Sequence, residues 1–168
     1  MLWNAVETVS LWCLSVLFLL LHKKPTPQAE ESFLQFVKFG LVGVSNTAVN
    51  YVIYLGVLLC LRALGLWKEY DYLAATAAGF VLSVLWSFFW NNKFVFTVKE
   101  GEQRSVWKAL ARTYLSYSFT GLFLNSVLMV LWVDMLHISE FLAPVINLLF
   151  NVPVNFLINK FWAFKKEG

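Results

Sequence analysis

Charged residues are scarce in this sequence, and that scarcity limits the class of protein it can form. Asp, Glu, Lys and Arg make up 14% of the chain, whereas hydrophobic residues make up 60%. Soluble domains carry roughly 25% charged residues, so a soluble domain is excluded. Each uncharged run is close to the ~20 residues that a helix needs to cross ~30 Å of hydrocarbon. The sequence therefore predicts an all-α integral membrane protein with five spans, at residues 2–21, 40–61, 72–90, 114–133 and 141–158.

Groups that carry chemistry are missing as well. No Asp, Glu, Lys, Arg or His lies at the centre of the last four predicted spans, which excludes the proton relay of a coupled transporter. The sequence has no P-loop motif and no nucleophile with a matching base, so we expect neither ATP-driven transport nor an enzyme. Cys13 and Cys60 fall within spans, and the two histidines lack metal-ligand spacing. We therefore expect no disulfide, no metal and no other cofactor.

The distribution of Lys and Arg predicts the orientation, because short cytoplasmic loops retain these residues. With the N-terminus outside and the C-terminus in the cytoplasm, eleven of the 13 fall on the inner side, and only Arg62 and Lys68 fall outside. Topology and attraction to anionic lipids then account for the net charge of +3, and no nucleic acid partner is expected. The inner residues are Lys23, Lys24, Lys38, Lys93, Lys99, Arg104, Lys108, Arg112, Lys160, Lys165 and Lys166.

The N-terminal segment, residues 1–32, is predicted to be an extra helix followed by a linker. Residues 1–15 hold no Lys or Arg, and the basic residues follow the apolar run, which is the pattern of an anchor with its N-terminus outside. An interfacial helix and a cleaved signal peptide are the two alternatives. Pro25 and Pro27 predict a short cytoplasmic linker over residues 25–32.

Two helical stretches carry polar residues at a constant spacing of four. On an α-helix this spacing places each set on one face about 18 Å long, at ~1.5 Å per residue. Amides that face hydrocarbon are costly, so both faces should turn inward. We expect Asn147, Asn151, Asn155 and Ser83 to face one cavity together with Asn50 and Asn125. The two sets are Gly79, Ser83, Ser87 and Asn91, and Asn147, Asn151, Asn155 and Asn159.

The last four predicted spans form an internal duplication. Residues 155–164 align without a gap on residues 87–96, at an offset of 68, and each copy contains Asn, a basic residue and aromatics. The preceding helices match at an offset of 75, which pairs Asn50 with Asn125. Because each half contributes two spans, both halves have the same orientation, and the repeat is parallel. The expected core is thus a four-helix bundle made from a duplicated helix pair.

Several of these residues resemble the motifs of the GtrA-like proteins. They are the Phe36-x-x-Phe39-x-x-Val42-Gly43 opening, Asn50, and the Asn159-Lys160-x-Trp162-x-Phe164 ending with its earlier copy at residues 91–96. The resemblance covers about residues 33–166 and implies a GtrA-like domain over residues 33–168. It also implies translocation of a polyprenyl-phosphate-linked sugar for cell-surface polysaccharide or teichoic acid glycosylation. The implied partners are that lipid and the membrane glycosyltransferases that make and use it, while a homo-oligomer is left open.

The residues indicate how such a lipid would be handled. Asn offers an acceptor and two donors, so a row of amides can exchange hydrogen bonds with sugar hydroxyls. Pro153 should bend the last helix within its polar row. For each polar residue the alternative is helix packing, and for each cation it is a topology marker at the membrane surface. The expected headgroup-binding residues are Asn46, Asn50, Ser83, Ser87, Asn91, Asn125, Asn147, Asn151, Asn155 and Asn159, and the expected phosphate-binding residues are Lys38, Lys93, Arg112 and Lys160.

Two other function classes share some of these features. A small-multidrug-type exporter has a similar size, but it relies on an intramembrane carboxylate, for which Glu7 is the candidate here. A scaffold that recruits a glycosyltransferase would need a surface for its partner, and residues 99–112 could supply it.

Overall fold

The computed structural model describes residues 2–20, 22, 24–98, 102–139 and 141–165, and every long element in them is helical. Backbone polar groups in hydrocarbon must be satisfied within the chain, which favours helices in so apolar a sequence. The α-helices are α1 (Leu2–Leu20), α2 (Pro27–Ala63), α3 (Asp71–Trp90), α4 (Val106–Ser118), α5 (Asn125–Met129) and α6 (Ala143–Ile158). Lys23, Lys99 and Lys166 of the predicted orientation lie outside the described residues.

Four segments of wider π-helical turns extend these helices. In a π-helix each N–H bonds to the carbonyl five residues earlier, and such turns are frequent at functional sites. One of them joins α4 to α5 and another extends α5, so that Val106–Met135 is one continuous helix. The segments are Asn91–Val95, Phe119–Leu124, Val130–Met135 and Asn159–Ala163.

Three described helices are long and apolar enough to cross a membrane: Pro27–Ala63, Asp71–Val95 and Val106–Met135. The chain is therefore an all-α membrane protein, as the sequence predicts. The predicted spans at residues 2–21 and 141–158 correspond to α1 and α6, and their passage through the membrane stays a prediction.

The predicted linker over residues 25–32 is wrong in its extent, because only residues 25 and 26 of it lie outside a helix. Helix α2 begins at Pro27, where Thr26 caps it by accepting a hydrogen bond from the Ala29 N–H at 3.2 Å. Proline is well tolerated in the first turn of a helix, because its missing N–H would have no helical partner there. With 37 residues, α2 is about 55 Å long at ~1.5 Å per residue, so it extends well beyond the hydrocarbon layer.

Helix α1 packs at the end of the bundle where α2 begins. The Trp3 ring stacks on Phe94 with centroids 5.2 Å apart, and Glu7 forms an ion pair with Lys38. A spanning α1 with its N-terminus outside would instead bring Trp3 to the other end, where Arg62 pairs with Asp71 at 2.8 Å. These contacts fit the interfacial alternative for α1 better than the spanning one.

The duplication is visible in the ends of the two repeats. Each π-helical ending starts at an asparagine whose carbonyl accepts the N–H five residues later. Asn91 accepts from Phe96 and Asn159 accepts from Phe164, both at 2.8 Å. All four residues are buried.

Aromatic contacts in the core repeat at the same offset of 68 residues. Phe88 stacks on Phe164 at 5.6 Å, and the equivalent pair Phe96 and Phe156 stacks at 6.0 Å. Phe96 and Phe164, which are themselves equivalent, stack on each other at 4.7 Å. A contact between two equivalent residues is expected at the axis that relates two repeats. The four core helices therefore form a pseudo-two-fold bundle.

Gly79 permits the close contact between α2 and α3. A Cβ atom at Gly79 would lie 3.1 Å from the Asn50 carbonyl oxygen, whereas one at Gly56 would meet nothing within 4 Å. We expect Gly79→Leu to destabilise the protein by roughly 1–3 kcal/mol through overpacking. Thermal unfolding in detergent measures this change, with Gly56→Leu as the control on the facing helix. Equal unfolding midpoints in both variants would show that the contact is not needed.

Candidate functional site

A cavity of about 820 Å³ lies between α2, the Val106–Met135 helix and α6. On α2 it runs from Phe39 to Tyr51, which is about 18 Å along the axis at ~1.5 Å per residue. This stretch of α2 lies almost entirely within the predicted span at residues 40–61, so the cavity lies within the apolar part of the bundle. Its polar lining comes from Asn46, Thr47, Tyr51, Tyr117, Thr120, Asn151 and Asn155.

The polar lining of this cavity is neutral and partly unpaired. The side-chain oxygens of Asn46 and Asn151 are buried without a hydrogen-bond partner. The Asn155 side-chain oxygen accepts from the Ser116 hydroxyl at 2.8 Å and from the Asn159 amide at 2.9 Å. Since buried acceptors without donors are costly, the cavity wall is suited to a ligand that brings hydroxyl donors.

The cavity opens towards the side of the bundle. Several lining residues have large exposed fractions: 72% for Val44, 60% for Tyr51 and 60% for Leu148. In a membrane this side faces lipid. A ligand could therefore occupy the cavity while an attached hydrocarbon chain stayed in the bilayer.

Glycines from both repeats make room for this cavity: Gly40 and Gly43 in the first and Gly121 in the second. Gly40 and Gly43 line it, and a Cβ atom at either position would meet nothing within 4 Å. At the offset of 75, the second repeat has Leu115 and Ser118 in their places. The two repeats therefore differ in the side chains that border the equivalent grooves.

The first residue of the second polar row is paired with the neighbouring Val106–Met135 helix. The Asn147 amide donates to the Asn125 side-chain oxygen at 2.8 Å, and the Asn147 oxygen accepts from the Trp132 indole at 2.7 Å. Asn147 is only 1% exposed. Asn151 also donates to the Asn125 side chain, at 3.3 Å, so it connects this cluster to the cavity.

The first repeat has a smaller version of that cluster. The Asn50 amide donates to the Ser83 hydroxyl at 3.2 Å, beside Gly79. The predicted single cavity is therefore wrong in part, since Asn50 and Ser83 form their own contact between α2 and α3. At the offsets of 75 and 68 residues, Asn125 and Asn151 form the corresponding contact in the second repeat, at 3.3 Å.

The last members of both rows form buried hydrogen bonds near the pseudo-two-fold axis. The Asn91 amide donates to the Ser87 hydroxyl at 3.1 Å, and that hydroxyl lies 2.6 Å from the Tyr117 hydroxyl. In the second repeat the Asn159 amide donates to Ser116 at 3.0 Å. Asn91, Asn159 and Ser87 are each 0% exposed. These contacts match the packing alternative.

The structure separates the four predicted phosphate-binding cations. Lys38 is paired with Glu7, and this pair does not line the cavity, so the exporter alternative has no carboxylate there. Lys93 is exposed beside Phe94, with its ammonium 5.3 Å from the ring centroid. Arg112 donates to the Trp162 carbonyl at 3.1 Å. Lys160 lines a second cavity.

This second cavity, of about 240 Å³, lies at the α2 N-terminal end of the bundle. Lys160 donates to the Ser32 hydroxyl at 2.7 Å. Arg104 donates to the Phe164 carbonyl at 3.2 Å and also bonds the Asn92 side chain. The polar lining comprises Gln28, Glu31, Ser32, Gln35, Thr97, Arg104 and Lys160.

Burial influences both cations of the second cavity. It lowers the pKa of Arg104. The apolar part of α6 ends at Ile158, and beyond it burial lowers the pKa of Lys160, an effect that the charge of Glu31 opposes. Partial loss of water favours an anionic partner for both side chains.

Comparison with known proteins identifies the family. The family model for the GtrA/DPMS transmembrane domain matches residues 38–164. The chain belongs to this family. The match covers the whole duplicated bundle except the first turns of α2, and it excludes α1.

Two curated relatives extend this result. An uncharacterized membrane protein of Bacillus subtilis, YwcD, is 32% identical over 96 residues, which cover 57% of this chain and 75% of YwcD. The cell wall teichoic acid glycosylation protein GtcA of Listeria monocytogenes is 27% identical over 128 residues, which cover 74% of this chain and 81% of GtcA. No solved structure matches the chain.

Within this GtrA/DPMS bundle, sequence reasoning missed several lining residues. Arg104 was counted only as a topology marker, because it lies in a loop 56 residues before Lys160. Tyr117 and Thr120 lie on the same helical face, three residues apart, and that spacing was the available signal. Gly40 carried no polar group and so gave no signal of its own.

Proposed function

We propose that this protein translocates a polyprenyl-phosphate-linked sugar across the cytoplasmic membrane without using ATP. The observation that carries the proposal is the uncharged cavity of about 820 Å³, whose largely apolar wall carries amide and hydroxyl groups and whose side is open towards lipid. The hydrocarbon tail of such a lipid can stay in the bilayer. The protein then needs to shelter only the sugar and the phosphate, because moving these polar groups from water into hydrocarbon is energetically unfavourable.

The chemistry of the lining supports a sugar as the occupant. Asn46 and Asn151 present unpaired acceptors, and Thr47 and Tyr51 add hydroxyls. Sugar hydroxyls can donate to all four oxygens and accept from the Tyr51 hydroxyl, whereas the Thr47 hydroxyl already donates to the Gly43 carbonyl. Neutral hydrogen bonds contribute about 0.5–1.5 kcal/mol each, so several of them hold a headgroup without preventing its release.

Membership of the GtrA/DPMS family and the name of GtcA support the biological context. We infer that the translocated sugar serves the glycosylation of a cell-surface polymer such as teichoic acid. A membrane glycosyltransferase would make the lipid on the cytoplasmic side, and a second would use it outside.

The proposed direction is outward. The end of the bundle that holds Arg104 and Lys160 is assigned to the cytoplasm by the excess of Lys and Arg there. An inside-negative potential favours outward movement of a singly charged phosphodiester by up to ~2.3 kcal/mol per 100 mV. Consumption of the lipid outside would supply the rest of the driving force for outward movement.

A reconstitution experiment tests this function. Liposomes with the purified protein and a fluorescent prenyl phosphohexose should expose the lipid to an outside quencher much faster than matched protein-free liposomes. The same vesicles with a fluorescent phosphatidylcholine control for leakage and for general lipid scrambling. Equal rates with and without protein, or equal acceleration of both lipids, would contradict the proposal.

A further inference from the structure

The smaller cavity is distinct from the sugar cavity in both position and charge. Its lining contains two cations, Arg104 and Lys160, and one carboxylate, Glu31. At neutral pH these side chains carry a net charge of one positive unit. The larger cavity is lined by neutral residues.

Both cations keep donors free for a ligand. Lys160 has three N–H donors, and one of them reaches Ser32. Arg104 has five, of which one reaches the Phe164 carbonyl and another the Asn92 side chain. The Arg104 guanidinium also lies 5.0 Å from the Phe164 ring centroid, so its plane is held in place.

We propose that Arg104 and Lys160 form a binding site for the phosphodiester of a lipid-linked sugar, in which Glu31 favours a single negative charge. This inference rests on the proposed function and adds the phosphate site to it. Planar guanidinium groups bind phosphate oxygens through two parallel hydrogen bonds, and an ammonium adds a compact charge. A phosphodiester carries one negative charge, which matches the net charge of the lining. Free phosphate at pH 8 carries about two, because its second pKa is about 7, and it lacks the sugar and the prenyl chain that would add contacts.

The two cavities follow each other along α2 and α6. Lys160 and Asn155 lie five residues apart, or about 7.5 Å along the axis at ~1.5 Å per residue. On α2, Gln35 of the smaller cavity lies one turn before Phe39 of the larger. The Phe39 ring contacts Phe96 of the smaller cavity, with centroids 6.1 Å apart. The two cavities are therefore neighbours along both helices, with this aromatic contact between them.

Binding can be measured without transport. The protein in detergent is titrated with a water-soluble, short-chain prenyl phosphohexose at pH 8, and the dissociation constant is taken from the rise in the unfolding midpoint. Lys160→Met and Arg104→Gln should each weaken binding about tenfold or more, because each removes a charge-assisted hydrogen bond. Glu31→Gln should instead strengthen binding, since it removes the repelling charge. Lys24→Met, which changes an exposed cation before α2, should leave the dissociation constant unchanged.

Lys160→Met and Arg104→Gln should weaken binding, whereas Glu31→Gln should strengthen it. These opposite effects distinguish a binding site from a structural role. Inorganic phosphate and a short-chain phosphatidylglycerol are titrated in parallel and should bind at least about tenfold more weakly than the phosphohexose, a difference of ~1.4 kcal/mol. Equal binding of phosphatidylglycerol would overturn the assignment to a sugar lipid. Unchanged binding in Lys160→Met and Arg104→Gln would overturn the site itself. Binding with these signs in a protein that fails to translocate lipid would contradict only the proposed function.

Discussion

Gly43→Leu should reduce sugar-lipid translocation about tenfold or more while the protein stays folded, because losing one or two hydrogen bonds to the sugar costs ~1.4 kcal/mol. The new side chain has space, since a Cβ atom at Gly43 meets nothing within 4 Å. It would project into the larger cavity and occupy the volume that the sugar needs. The rate of lipid exposure in proteoliposomes measures the effect.

The matched control for this prediction lies on the same helix. Gly56 also has open space around its Cβ position, but it does not line the cavity. Gly56→Leu should therefore translocate lipid at the normal rate and unfold at nearly the normal temperature. A normal rate in Gly43→Leu would show that the lipid follows another path.

Replacing two asparagines of one row should produce two different defects. Asn151→Leu removes an unpaired acceptor from the cavity wall, so it should slow translocation roughly tenfold and change stability little. Asn147→Leu leaves the Trp132 indole without its partner and leaves the Asn125 side-chain oxygen with only the longer bond from Asn151, at 3.3 Å. We expect it to lower the free energy of unfolding by about 1–3 kcal/mol.

Measuring lipid exposure and thermal unfolding on the same preparations separates these outcomes. Both residues lie on α6, one turn apart, and both receive the same substitution, so each variant controls for the other. A large loss of stability in Asn151→Leu, with normal transport by the protein that remains folded, would assign that residue to packing.

Prediction from the sequence succeeded for the internal repeat and for the faces of the helices. The offset of 68 residues anticipated that Asn91 and Asn159 would occupy equivalent places, and both begin a π-helical ending whose hydrogen bonds are equal in length. The spacing of four anticipated inward-facing polar rows, because the period of an α-helix is a property of the backbone. The π-helical turns were not anticipated from the sequence.

Prediction was less successful for contacts between distant parts of the chain. Lys93 and Lys160 both follow polar rows, yet Lys93 is exposed and Lys160 lines a cavity beside Ser32, 128 residues away in sequence. Glu7 was considered as an intramembrane carboxylate, but it pairs with Lys38 at the end of the bundle. In both cases the position depends on how α1 and α2 pack, and periodicity carries no information about that.

By itself the sequence determined the class and the repeat: a membrane protein of apolar helices, a duplicated helix pair, and polar rows too costly to face lipid. The tertiary structure alone decided which amides pair with each other and which line a cavity. The reason is that the amides of one row can either form hydrogen bonds with a neighbouring helix or face a cavity. Which of the two occurs depends on the rotation and separation of neighbouring helices. At Asn147 the neighbouring helix supplies Asn125 and Trp132 as partners. At Asn151, one turn further, the glycine face of α2 leaves open space beside the row, and the Asn151 oxygen has no partner.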